Sequence, residues 1–217
     1  RSSSLEVNDE TCFARVLKSN FWDEDNIMKT INISPDQMQL NIARYNELTP
    51  NKSRTADNIP PEAREMMTAR ETKTVIAYDG AKDTPWGNGP IAGPKSFAVV
   101  IAECEPGNGP GLHVHQNTTE TFTCIKGRFR IEWGDTGEHS TELNLFDTIS
   151  VPPGVMRRFH NISEENGLLY VILQGGDKNL KDVEFAPSMI EDLSTRFGNE
   201  VVKELEKLGY SFTAGIE

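Results

Sequence analysis

Cysteine is scarce in this 217-residue chain. Cys12, Cys104 and Cys124 are odd in number, widely spaced and form no CxxC pair. This argues against a disulfide framework or a cysteine zinc site and for free thiols in a reducing compartment. Long hydrophobic runs are also missing: FAVVIA (97–102) and GLLYVIL (167–173) fall far short of the ~20 residues a membrane helix needs. Basic residues are outnumbered, 22 Lys and Arg against 33 Asp and Glu, for a net charge of −11. Nucleic acid is therefore excluded as an expected partner, because phosphate binding draws on clustered cations and Arg157-Arg158 is the nearest approach to a cluster. No internal repeat or low-complexity tract is present. A cytoplasmic location is expected. The chain opens at Arg1 rather than Met, so secretion stays open, and the N-x-[ST] triplets at Asn32, Asn51, Asn117 and Asn161 matter only in that case.

What remains is the texture of a globular protein, long enough for one domain with extensions. Residues 1–71 read as an N-terminal extension. In it MQLNIARY (38–45) alternates like a strand, while SPDQ just before it equally suits a helix capped by Ser34. IPPEAREMMTAR (59–70) reads as a short helix with proline in its first turn, where a missing N–H costs least. From Thr72 to residue 176 short β-branched and aromatic runs alternate with Gly, Pro, Asn and Asp turns. TKTVIAYD, SFAVVIAEC, GLHVH, TFTCIKG, RFRIEW, DTISV, RFHNIS and LLYVILQ make about eight strands, the spacing of an all-β sandwich or barrel. DTPWGNGPIAGPK (83–95) reads as a long loop. Residues 177–217 turn helical: Ser188 with Glu191 forms a capping-box pattern for MIEDLSTRF, and Asn199 is placed to cap EVVKELEKL. Val201, Val202, Leu205 and Leu208 share a face of that last helix and are expected to pack on the barrel or a second subunit.

The chemistry concentrates in GPGLHVHQNTTETFTCIKG (109–127). On a strand, residues two apart share a face, so His113 and His115 present both imidazoles together with Val114 opposite. Glu120 follows the polar turn QNTT and can bring a carboxylate back against them. Two imidazoles and one carboxylate suit Fe(II), Mn, Zn, Ni or Co and leave coordination positions open. An H-x-H pair alone occurs often by chance as exposed hairpin residues.

The flanking residues add a pattern, G-x5-H-x-H-x4-E-x6-G, filled by Gly107, His113, His115, Glu120 and Gly127. This resembles the first motif of the cupin superfamily. A second motif, G-x5-P-x-G-x2-H-x3-N, is met in part: Pro152, Gly154 and Asn161 fit, Phe146 stands at the first glycine, and Arg157 stands at the histidine. The resemblance covers about residues 72–176 and implies a double-stranded β-helix, a jelly-roll barrel with the site inside, in a single-domain protein that is often a dimer.

Arg157 breaks the expected four-ligand set, since a guanidinium does not ligate. A fixed cation beside a divalent ion is repulsive unless an anion lies between them. Three readings follow: Arg157 faces the site and clamps an anionic substrate, the site has become a metal-free pocket, or His160 replaces the ligand through a bulge. A salt-bridged position on the barrel rim is the structural alternative. Phe122 and Cys124 share parity with Glu120 and are candidates for the pocket wall, Trp86, Trp133 and Tyr170 for core or rim, and His139 for a solvated turn. The resulting expectation is a metal-dependent enzyme, first an Fe(II) dioxygenase of a small anionic or aromatic compound. His113, His115 and Glu120 would hold the ion and Arg157 would act on the substrate. An isomerase, epimerase or lyase using the metal as a Lewis acid, and a non-catalytic small-molecule binder, are the alternatives.

Overall fold

The structure, a computed structural model, describes residues 30–51, 56–78, 88–175 and 182–215. The chain divides into two compact units, Arg1–Asn41 and Ile42–Glu217. In the first, the helix reading of SPDQ prevails over the strand reading. Helix α1 (Pro35–Gln39) is closed by a capping box, in which the Ser34 hydroxyl accepts from the Gln37 N–H and the Gln37 side chain accepts from the Ser34 N–H. Two reciprocal bonds and a proline at the first turn outweigh a short alternation that finds no strand to pair with.

The second unit holds a single 3-10 turn (Tyr45–Glu47), then the short helix α2 (Pro61–Glu65), and continues into eleven described strands. These are β1 (Glu71–Tyr78), β2 (Ile91–Gly93), β3 (Phe97–Cys104), β4 (His113–His115), β5 (Thr118–Lys126), β6 (Phe129–Trp133), β7 (His139–Leu143), β8 (Thr148–Val151), β9 (Arg157–Asn161), β10 (Gly167–Gly175) and β11 (Val183–Phe185). They form a six-stranded sheet in the order β2-β1-β3-β10-β5-β8 and a five-stranded sheet in the order β11-β4-β9-β6-β7. All pairings are antiparallel except β1 with β2. Ile91–Gly93 is thus a short strand inside the stretch read as a loop; Trp86, in the same stretch, lies outside the described residues.

Period-two alternation sorts each long strand. On β5, Thr118, Glu120, Phe122 and Cys124 point inward, while Thr121 and Thr123 pair their hydroxyls with Ser150 and Thr148 of β8 at 2.9 Å. On β10, Leu169, Val171 and Leu173 point inward. These residues meet Val100, Phe129, Ile131 and Phe159 in one apolar core between the sheets. Phe122 and Cys124 therefore belong to that core. Cys104 and Cys124 are free and buried, and burial pushes the Cys104 thiol up to about 12.

The motif residues shape the turns. Gly107, Gly127 and Gly154 all adopt left-handed backbone, with φ of 75°, 80° and 79°. Phe146, at the motif's first-glycine position, keeps that conformation with φ 69° although it carries a side chain. Asn161 is fully buried and joins three segments: it donates to the carbonyls of Cys104 and Glu165 and accepts from the Ser163 N–H. Burial removes it as a glycosylation acceptor.

The C-terminal segment is only partly helical. It first supplies β11, which pairs with β4 through Val183 opposite His115 and Phe185 opposite His113. Helices α3 (Ser188–Phe197) and α4 (Asn199–Lys207) follow. Pro187 and Gly198 occupy the cap positions and neither makes a side-chain cap bond, so Ser188 and Asn199 are first-turn residues rather than caps. Val201, Val202 and Leu205 pack with Met189, Leu193, Phe185 and the α2 region residues Ala63 and Met67 in a second apolar cluster, with Leu208 at its edge. The stripe thus packs within its own unit. No helix among the described residues is long and apolar enough to cross a membrane.

Candidate metal centre

Strands β4 and β5 are consecutive in the chain but belong to opposite sheets, and this crossing builds the site. Alternation on β4 turns Val114 outward into a small apolar cluster with Leu112, Met156, Ala186 and Ala214. His113 and His115 consequently turn inward, and Glu120 reaches toward them from the other sheet. All three side chains are buried. Their donor atoms lie within 4.8 Å of one another: Glu120 Oε2 is 3.6 Å from His115 Nε2 and 3.9 Å from His113 Nε2.

Each ring is fixed through its other nitrogen. His113 Nδ1 lies 2.8 Å from the Gly111 carbonyl, which can only accept, so that nitrogen carries a proton. A Cβ at Gly111 would fall 2.1 Å from Met189 Sδ, so any larger residue there would have to displace the end of that side chain. His115 Nδ1 lies 3.1 Å from Asp182 Oδ1, just before β11. The Asp182 carboxylate also accepts from the Thr118 hydroxyl at 2.9 Å and from the Asn117 N–H. Burial alone would raise this carboxyl, but these donors and the His115 ring hold it well below the usual carboxylate range. Both Nε2 atoms thereby face Glu120. Burial pushes His113 below its ordinary value and favours the neutral, donating ring. Burial would likewise raise Glu120, yet His113, His115 and Arg157 outweigh it and bring its carboxyl down to about 2.

Arg157 lies inside the barrel and is fully buried, which removes the rim alternative. It pairs with His113 on β4 and Trp133 on β6. Its Nε sits 3.4 Å from Glu120 Oε2, while Nη1 donates to the Val155 carbonyl at 2.9 Å and Nη2 to that of Thr118 at 3.5 Å. Burial lowers its pKa, and the charges of Glu120 and Asp182 oppose that. His160 stays on the opposite face of β9, with no bulge in the β6–β9 register, and its Nδ1 faces Glu132 Oε2 at 3.8 Å. His139 is exposed, on the first residue of β7. Trp133 and Tyr170 are half-buried.

The donor set fits a divalent transition ion. Two imidazole nitrogens and a carboxylate oxygen, all acceptors, face one another in a buried space, and Glu120 Oε2 makes no hydrogen bond. Lone pairs so arranged repel unless a cation lies among them. Donors on opposite sides of one ion sit about 4.2 Å apart at bond lengths near 2.1 Å, so both Glu120 spacings are already within reach of a shared ion. The three residues border a cavity of about 80 Å³, room for several waters or a small ligand. Its other walls are apolar at Met67, Val100, Val171 and Phe185 and polar at Arg64, Thr72 and Tyr210. Arg157 is not part of these walls. Asp182 and Arg64 belong to no motif; the only signal for Asp182 was the short alternation DVEF, within a segment read as helical.

Residues 100–173 match the family model for the cupin domain. These residues form a cupin domain. No curated protein sequence matches the chain. Among solved structures, the chain is similar to a protein from Bacillus halodurans, with 18% identity over 40% of this chain and 67% of that one and a TM-score of 0.37. It is also similar to the cupin domain of Cnp3 from Schizosaccharomyces pombe, with 16% identity over 48% of this chain and 65% of that one and a TM-score of 0.37. A third is a double-stranded β-helix protein from Klebsiella pneumoniae, with 24% identity over 39% of this chain and 71% of that one and a TM-score of 0.36.

Proposed function

We propose that this cupin is a metal-dependent enzyme acting on a small molecule, with His113, His115 and Glu120 as ligands of a divalent transition ion, Fe(II) foremost, and a dioxygenase reaction. The observation that supports it is the convergence of two Nε2 atoms on a buried carboxylate oxygen without a hydrogen bond. The ion would supply Lewis acidity and, as Fe(II), the capacity to activate O2. The chain's own residues do the rest. Gly111 and Asp182 hold the rings in the ligating orientation. Arg157 offsets the charge of the Glu120 carboxylate from 3.4 Å away, and the apolar wall limits water around the reacting centre.

Charge favours an anionic substrate. With the imidazoles counted as neutral donors, Glu120 and Asp182 contribute two negative charges and Arg157 one positive, so a divalent ion leaves the centre with one positive charge. Metal analysis of purified protein, paired with oxygen uptake, tests the reading. Stoichiometric iron that is lost in His113→Ala, with oxygen consumed, is the expected result. Zinc, nickel or manganese without oxygen uptake would replace the dioxygenase by an isomerase or lyase, and absence of any bound metal would reduce the site to a binding pocket.

A further inference from the structure

We infer that Arg64 is the specificity residue of this cavity, receiving a second anionic group of the substrate, so that the ligand class is a small dianion with a short apolar body. The inference rests on the proposed metal centre for the other end of that ligand.

Arg64 lies on α2, outside the barrel strands, yet it lines the same cavity as His113, His115 and Glu120. It is the only Arg or Lys among the described residues of that wall. A guanidinium offers five N–H donors, and Nη2 of Arg64 is used in a 2.8 Å bond to the Arg70 carbonyl. No carboxylate among the described residues forms an ion pair with it, whereas Arg157 has Glu120 and Arg70 has Glu105. That single bond anchors the group and leaves its remaining face to accept a carboxylate or phosphate edge. Elsewhere the wall of the same cavity is apolar at Met67, Val100 and Phe185. Such a site suits a molecule with two charged ends and few polar atoms between them. The positive charge left at the metal-loaded centre and that of Arg64 together balance two negative charges.

The test compares malonate and succinate with acetate, each titrated calorimetrically into the metal-loaded full chain and its Arg64→Gln and Arg64→Lys variants. Metal content and thermal melting are recorded on every sample. Wild type is expected to prefer a dicarboxylate over acetate. Arg64→Gln should lose about tenfold in dicarboxylate affinity, the scale of one charge-assisted contact, with acetate unchanged and Arg64→Lys intermediate. Absence of that preference in wild type overturns the inference. So does its survival in Arg64→Gln, or an equal fall for acetate and dicarboxylates. Failure of the metal centre reads separately, as missing metal, and the same titrations on metal-free protein then still report whether Arg64 binds an anion.

Discussion

Arg157 Nε and Glu120 Oε2 lie 3.4 Å apart, both buried, and neither atom makes a hydrogen bond. A cation beside a divalent ion calls for an anion between them, and here the protein supplies that anion itself. Arg157 is a partner of the ligand rather than a wall of the substrate cavity. Breaking such a buried pair leaves an uncompensated charge, at a cost of about 3–5 kcal/mol. Arg157→Leu is therefore expected to lower denaturant stability by that order, and Arg157→Leu with Glu120→Gln to recover part of it. A single variant as stable as wild type would show that the pair carries no such weight.

Asp182 acts on the centre through His115. Asp182→Asn leaves the shape and removes the charge that orients the ring and raises its basicity, which typically weakens metal affinity by about 10- to 100-fold. Competitive titration against a chelator measures this. A loss of stability with unchanged metal affinity would assign Asp182 to the fold alone.

Acid should unfold chelator-treated protein early. Glu120 and Asp182 are both held below their unfolded values, Glu120 at about 2. Their contribution is thus present above the unfolded carboxylate range near pH 4 and is lost as pH falls through the folded values. Stability is expected to decline from about pH 4.5 toward 2, with a shallower slope in Glu120→Gln. Identical slopes would place the acid sensitivity elsewhere.

Phe146 stands in left-handed backbone with its side chain 73% exposed. Its ring contributes little burial, while its Cβ costs about 1–2 kcal/mol there. Glycine relieves that cost and gives part back as unfolded-state entropy. Phe146→Gly is expected to gain about 0.5–1 kcal/mol in thermal or denaturant unfolding. A loss would mean that the ring has a contact worth more than the strain.

The barrel and the His113, His115 and Glu120 cluster were legible because both rest on local rules. Alternation fixes which face His113, His115 and Glu120 present, and the motif glycines mark the turns that need left-handed backbone. Asp182 and Arg64 were not legible, because their roles depend on which distant segments the fold brings back to β4 and to the cavity. At Ser188 and Asn199 residues suited to a cap were present, but the helices start one position earlier, with Pro187 and Gly198 at the cap positions. For Arg157 the sequence pointed to an anionic substrate as its partner, whereas the packing of the two sheets sets it beside Glu120.

The pairing of β11 with β4 bears on how this protein can be cut or grafted. A fragment ending at Gly175 would contain every motif residue and the whole six-stranded sheet, yet it would leave the β4 edge open and the His115 ring without its carboxylate. Domain boundaries drawn from motif coverage alone would thus yield a barrel with its ligands present and their scaffolding removed. Any minimal unit that keeps this cluster intact, or any transplanted site, has to extend at least through Phe185.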